Sequence, residues 1–329
     1  MGLSGWFHRR SGSLKTRDSG GGLGEPAHNT RLSLAQVLLL ALELGLLVFV
    51  IRQFQIESSA FLRVVLLALV GFVVHSFLAL RYRLLFFLAL SLTGIGVVFG
   101  VTNGAWLVGT GLVLIMVCHL PVPFPVRVAL LLVTGSLLAV LRLGWLHAPW
   151  SPAVWPILGS MFMFRLIVYL YDLRHEKEPV SFGRTLAYFF MLPNVCFPLF
   201  PVVDYKTFRR TYYNDEPFQI HQTGIDWMLR GVTHLILYRC VYHYFTMAPS
   251  EVMNLGDLVR YMVSTFLLYL RVSGQFHIIV GMLHLFGFHL PESHHRYYLA
   301  SSFTDFWRRI NIYWKDFVMK LFFYPTHFA

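Results

Sequence analysis

Five histidines, His277, His284, His289, His294 and His295, fall in the stretch "LLYLRVSGQFHIIVGMLHLFGFHLPESHHRYY", residues 267–298. Imidazole gains and loses a proton near neutral pH and ligates metals, so two chemistries are open to such a cluster. A dinuclear metal site in a membrane helix bundle needs several boxes close to HxxxH and HxxHH, so that the rings converge on two ions. Here four residues separate His289 from His294–His295 and no companion box follows, so no metal is expected. His277 and His284 are seven residues apart, which puts them on one helix face. With Ser273 on the same segment, they read as buried polar groups bonded to their neighbours.

A second chemical cluster is "SSFTDFWRRINIYWKDFVMKLFFYP", residues 301–325. Its pattern predicts one helix. Ser302 and Asp305 have capping-box spacing, and Pro325 ends it. Trp307, Ile310, Trp314, Phe317, Val318 and Leu321 form an apolar stripe, with Arg308, Arg309, Lys315 and Lys320 elsewhere. Periodicity alone makes this an amphipathic helix at a membrane interface, where Arg308, Arg309 and Lys315 suit donor phosphates and lipid headgroups equally.

The elements that must carry these residues are membrane helices. Of 329 residues, 56% are apolar and 13% charged, about half the charge of an ordinary soluble domain. Residues 33–51, "SLAQVLLLALELGLLVFVI", are long enough to cross a hydrocarbon core of about 30 Å. Further apolar runs lie near 60–80, 84–102, 105–120, 127–146 and 153–171. More interrupted ones cover 184–202, 226–246, 259–272 and 274–290. The fold class expected is an all-α polytopic transmembrane bundle of about nine to eleven membrane helices, with the amphipathic helix near the C-terminus. In "YFFMLPNVCFPLFPVVDYKTF", residues 188–208, Pro193, Pro198 and Pro201 interrupt an apolar run; local physics favours a kinked span there.

Residues 1–32 read as a disordered basic cytoplasmic tail, and 33–329 as one membrane domain. Within it, 33–171 is scaffold and 172–329 holds the polar groups. No cleavable signal is expected, since apolar sequence begins only near residue 33 and no cleavage site follows. The net charge of +11 is not a nucleic-acid signature. With the N-terminus inside, the loops bearing Arg81, Arg83, Arg127 and "DLRHEKEPVSFGR" all fall on the cytoplasmic side, as the positive-inside bias requires. Cys118, Cys196 and Cys240 sit in apolar runs and read as buried free thiols.

Taken in order, "FFMLPNVCFPLFPVVDYKTF", then Tyr269–Ser273–Gly274, then "LFGFHLPESHHRYYLASSFTDFWRRINIYWKDFVMKLFFYP" resemble the membrane-bound O-acyltransferase family, in its bacterial alginate O-acetylation-like branch. The resemblance covers roughly residues 160–325. It implies a membrane-embedded O-acyltransferase, moving an acyl or acetyl group from a thioester to a hydroxyl of a polysaccharide or lipid-linked acceptor. Asn311 stands where the branch carries a His, and is the implied catalytic position, able to orient a base or polarise a carbonyl. Trp307, Arg308, Arg309 and Lys315 would serve the donor. Arg271 stands where the family has an Asp. The family's catalytic His lies some dozens of residues further on, so the chain is expected to lack its last helices.

The resemblance implies no cofactor beyond acyl-CoA or another acyl thioester as co-substrate. The partners it implies are membrane lipids, the acyl donor, a cell-envelope acceptor and an export-complex protein, with no nucleic acid, and the location is the bacterial inner membrane. A catalytically inactive relative acting as an assembly or export partner is the alternative. A transporter is disfavoured, because no internal repeat is visible.

Overall fold

The computed structural model describes residues 32–175, 181–323 and 326. The expected basic tail lies outside the described residues except for Leu32, as do residues 176–180 of the charged loop. Among the described residues the regular structure is helical: α1 (Leu34–Gln53), α2 (Ser59–Phe77), α3 (Leu80–Cys118), α4 (Phe124–Arg142), α5 (Val154–His175), α6 (Phe182–Phe189), α7 (Tyr205–Arg210), α8 (Pro217–Tyr244), α9 (Leu255–Leu267), α10 (Leu270–His284), α11 (Phe303–Arg309) and α12 (Ile312–Val318).

Starts follow local chemistry. Ser33 caps α1 in a full capping box with Gln36, Ser58 caps α2, and Pro217 occupies the first turn of α8, where its missing N–H costs nothing. Among the described residues six helices are long and apolar enough to cross a bilayer: α1 to α5, and the run Leu255–His284 formed by α9 and α10. The protein is an integral membrane, all-α helical bundle. Apolar side chains that would be costly in water, such as Leu38, Leu42, Leu46 and Phe49 of α1, stay exposed on its outer face and meet lipid instead.

The runs 84–102 and 105–120 are the two arms of α3, which folds back at Gly100 (φ 77°), so they stand as two apolar helices as expected. A Cβ on Gly104 would lie 3.2 Å from the Ile95 side chain, whereas nine residues of straight helix separate atoms by about 13 Å. The runs 259–272 and 274–290 merge into α9–α10, which ends at His284. Residues 184–202 are not a kinked span. After the eight-residue α6 comes one 3-10 turn, Leu192–Val195, and then irregular chain to Asp204.

Arg165 of α5, 1% exposed, makes that break tolerable. Its guanidinium donates to the carbonyls of Tyr188 and Phe189 (3.1 and 3.0 Å) and to Asn194 Oδ1 (2.6 Å). It thereby takes carbonyls that the end of α6 leaves without helical partners, as irregular backbone at membrane depth requires.

The tightest packing in the bundle joins α8 and α10. A Cβ on Gly231 would lie 2.6 Å from the Gly274 carbonyl oxygen, and one on Gly281 2.5 Å from that of Gly224. The two pairings run in opposite senses along the chain, so the helices are antiparallel. Glycines spaced by seven on each helix let the backbones touch, the small-residue solution to packing where lipid removes the hydrophobic drive.

Candidate functional site

The α8–α10 contact fixes His234 of α8 beside Ser273 and His277 of α10. From the end of α10 the chain turns back along the bundle. Phe286 packs edge-on to His75 (5.3 Å between ring centres), while Tyr297 reaches Ser273 again. This return segment brings Glu292, His294, Tyr297 and Tyr298 to α8 and α10. Together with Arg230 they line a cavity of about 420 Å³, within the range of small-ligand sites.

Its hydrogen bonds fix several tautomers. His277 Nδ1 donates to the Ser273 carbonyl at 2.7 Å, so in the neutral ring Nε2 is the acceptor. That Nε2 is buried, has no hydrogen-bond partner, and lies 3.7 Å from Glu292 Oε1. His234 Nδ1 is 3.0 Å from Ser273 Oγ, which also accepts from the Tyr297 hydroxyl at 3.1 Å. The Tyr269 hydroxyl bonds His294 Nε2 at 2.9 Å, and Ser293 Oγ holds His294 Nδ1 at 3.0 Å. Arg230 and His295 grip Glu292 at 2.5 and 3.0 Å.

Charge follows from these contacts. Burial works to raise the pKa of Glu292, but His277, His295 and Arg230 outweigh it and hold the carboxyl down at about 2. Burial, reinforced by His277 and His234, pushes His294 down to about 3 against the pull of Glu292. His294 is therefore neutral when folded, facing His277, His234, Glu292, Tyr269 and Tyr297. An unfolded histidine titrates near 6.5, so this stabilisation is full above that pH and is lost as pH falls towards 3. The melting temperature should fall between about pH 7 and pH 5, and His294→Gln should remove part of the fall. An unchanged pH slope in that variant would refute the assignment.

Two expected core histidines, then, part company. His277 faces the cavity. His284 donates from Nδ1 to Val280 O (2.8 Å), packs on Trp227 and lies beside Gly224 of α8, two helical turns from His277. Ser273 is at the centre of the cluster. Among the described residues no three His, Cys, Asp or Glu side chains converge as metal ligands.

The expected single helix over 301–325 is broken in two. Asn311 adopts the left-handed conformation (φ 43°, ψ 66°) between α11 and α12, and its Oδ1 accepts the Trp314 N–H at 3.3 Å as the cap of α12. Asparagine is one of the few residues that enters this region readily, which is why the periodic stripe does not continue as one rod. Asn311→Gly should keep this backbone at a cost of a few tenths of a kcal/mol. Asn311→Ala should cost about 1–3 kcal/mol through lost cap and strain; unfolding midpoints of the two variants compare them directly.

Asn311 lines a different cavity, of about 390 Å³, with Trp314, Phe276 and Arg165. Phe276 also meets His294 edge-on at 5.4 Å, so one aromatic pair separates the Asn311 chamber from the histidine chamber. The implied donor residues do not gather at either. Trp307 and Arg308 are exposed, Arg309 closes on Asp305 at 2.8 Å, and Lys315 pairs with Asp316 at 3.0 Å. Arg271 reaches outwards to within 3.8 Å of Glu57.

Sequence reading missed His234, Arg230 and Glu292. Arg230 and His234, four apart on α8, were the available signal, since polar residues at that spacing in a membrane segment share a face. Compared with protein-family models and with curated proteins, the chain matches none.

Proposed function

We propose that the protein is a membrane-embedded O-acyltransferase that moves an acyl group from a thioester to a hydroxyl of a polysaccharide or lipid-linked acceptor. The observation that carries this reading is His277. Its tautomer is fixed by the Ser273 carbonyl, its Nε2 is unpartnered, and an ionised carboxylate stands 3.7 Å away beside a cavity. That is the arrangement a general base needs.

In the step proposed, the acceptor hydroxyl gives its proton to His277 Nε2 as its oxygen attacks the thioester carbonyl. Glu292 stabilises the imidazolium formed. Tyr298, with Arg230, supplies a donor and positive charge for the developing oxyanion, and Tyr297 holds Ser273 in place. Collapse breaks the C–S bond, and the imidazolium returns the proton to the departing thiolate. The chamber beyond Phe276 gives a second approach, as a reaction joining two substrates from different sides requires. Asn311 lines that approach, and its amide can polarise a carbonyl there. Acyl-CoA or another acyl thioester is co-substrate, with Trp307, Arg308, Arg309 and Lys315 on the donor's path outside the two chambers.

Arg81 lies in the first turn of α3 and Arg127 in the first turn of α4, at the ends that the short connections join, which supports a cytoplasmic N-terminus in a bacterial inner membrane. The test is transfer of label from acyl-CoA into the polysaccharide and lipid fractions by membranes bearing the full-length protein. Incorporation no higher than in membranes without it overturns the reading.

A second reading, a non-catalytic partner of an acylating or export complex, is favoured by the commitment of the Asn311 amide to capping α12. It expects acylation in cells to need the protein while Asn311→Ala leaves the phenotype unchanged.

A further inference from the structure

The chamber beyond Phe276 has a property acyl transfer does not call for. Arg165 is buried in its wall, and every group it bonds is neutral: two backbone carbonyls and one amide oxygen. Its Nε finds no acceptor at all. Its guanidinium also lies 4.2 Å from the centre of the Phe200 ring; the carbonyls and the ring solvate the charge but do not neutralise it, so an anion reaching this wall meets an attractive field. A second cation, the exposed Arg142 at the end of α4, lines the same chamber, and no acidic side chain does.

The chamber adjoins a third cavity of about 490 Å³ between α4 and α5. The two share Arg142, Trp155, Gly159 and Met163 as wall. Apart from Arg142, the groove is lined by apolar side chains, Trp155 and glycine. It faces outwards: Leu132 and Ile167 in its wall are 66% and 47% exposed. α4 has no fully buried residue, so its seam with α5 is left unfilled by protein. A cationic head chamber thus adjoins an apolar channel at the lipid-facing surface.

We propose that these two cavities together hold one anionic phospholipid of the bilayer, its phosphate on Arg165 and Arg142 and one acyl chain along the α4–α5 groove. A free anion would leave the groove empty, and a neutral lipid would leave Arg165 without a counter-charge. The inference stands without the acyl-transfer reading, but the two share the Asn311 chamber, so a lipid head bound there would block the second approach proposed above.

Gly159 provides a variant that tests the site without breaking the fold. It lies where the two cavities meet, and a Cβ there meets nothing within 4 Å. Leu at a helical glycine also favours the helix. Full-length protein in non-ionic detergent is offered equal phosphatidylglycerol and phosphatidylcholine, and retained lipid is read by native mass spectrometry. Wild type should keep one phosphatidylglycerol in preference to phosphatidylcholine. Arg142→Gln should weaken retention about tenfold, the worth of one charge-assisted hydrogen bond. Gly159→Leu should abolish it with an unchanged or raised melting temperature. Equal retention of the two lipids, or undiminished phosphatidylglycerol on folded Gly159→Leu, overturns the proposal.

Discussion

Replacing His277 by Gln should lower acyl transfer by about 10²–10⁴-fold, the span of a lost general base. Glutamine has similar bulk and can still donate towards the Ser273 carbonyl, so the packing of α10 on α8 survives. What it lacks is a basic ring nitrogen to receive the acceptor's proton. The effect should appear in kcat, since no binding contact is removed, and the limb of the pH–rate profile that reports the base should vanish. A merely structural role predicts another pattern: a lower melting temperature with the pH profile retained. His284→Gln is the internal control. His284 is as buried as His277 but stands two helical turns from the cavity, and its loss should leave the rate within about threefold. A rate for His277→Gln that also stays within threefold would remove His277 from the mechanism while leaving the lipid site untouched.

The second large effect is on folding. Gly231→Leu should prevent the chain from forming a stable bundle. A Cβ at this position meets the Gly274 carbonyl oxygen at 2.6 Å and the Ile278 backbone nitrogen at 3.0 Å. These are backbone atoms that no rotamer change can move. Overpacking an ordinary core costs about 1–3 kcal/mol, and here two helices must separate along their whole contact, so the loss should be about 3 kcal/mol or more. Size-exclusion chromatography in detergent should show aggregate in place of the monodisperse peak. Gly135→Leu is the matched comparison, since a Cβ there meets nothing within 4 Å; it should elute like wild type. A monodisperse, thermally unchanged Gly231→Leu would mean that the α8–α10 contact is looser than its geometry states.

The apolar runs were legible because a bilayer selects for length and hydropathy, and both are written locally in the sequence. The end of the helical pattern at Asn311 was not legible, since the stripe Trp307, Ile310, Trp314 is satisfied equally by one helix and by two short ones. The backbone conformation that divides them is decided by one residue. The turn inside α3 was legible as the gap between two apolar runs; only the positive φ of Gly100 that makes it is a tertiary fact. At the site, His277 and Ser273 were visible as polar residues on one face. Their partners were not, because Glu292 arrives from a return segment and His234 from a helix some forty residues earlier. The glycines at 224, 231, 274 and 281 are written plainly, but their pairing in reverse order emerges only when the two helices are laid antiparallel.

The return segment and the last helices are stitched together by backbone. His295 N donates to Arg309 O and Ile312 N to Ser293 O, each at 3.0 Å, with His294 and Asn311 held between the two bonds. These two side chains serve different chambers yet hang on one short clasp. Displacing the α11–α12 elbow would therefore pull, through these two bonds, on the segment that carries His294. The clasp makes the two compartments behave as the arms of one lever, so filling either should alter the reactivity of the other.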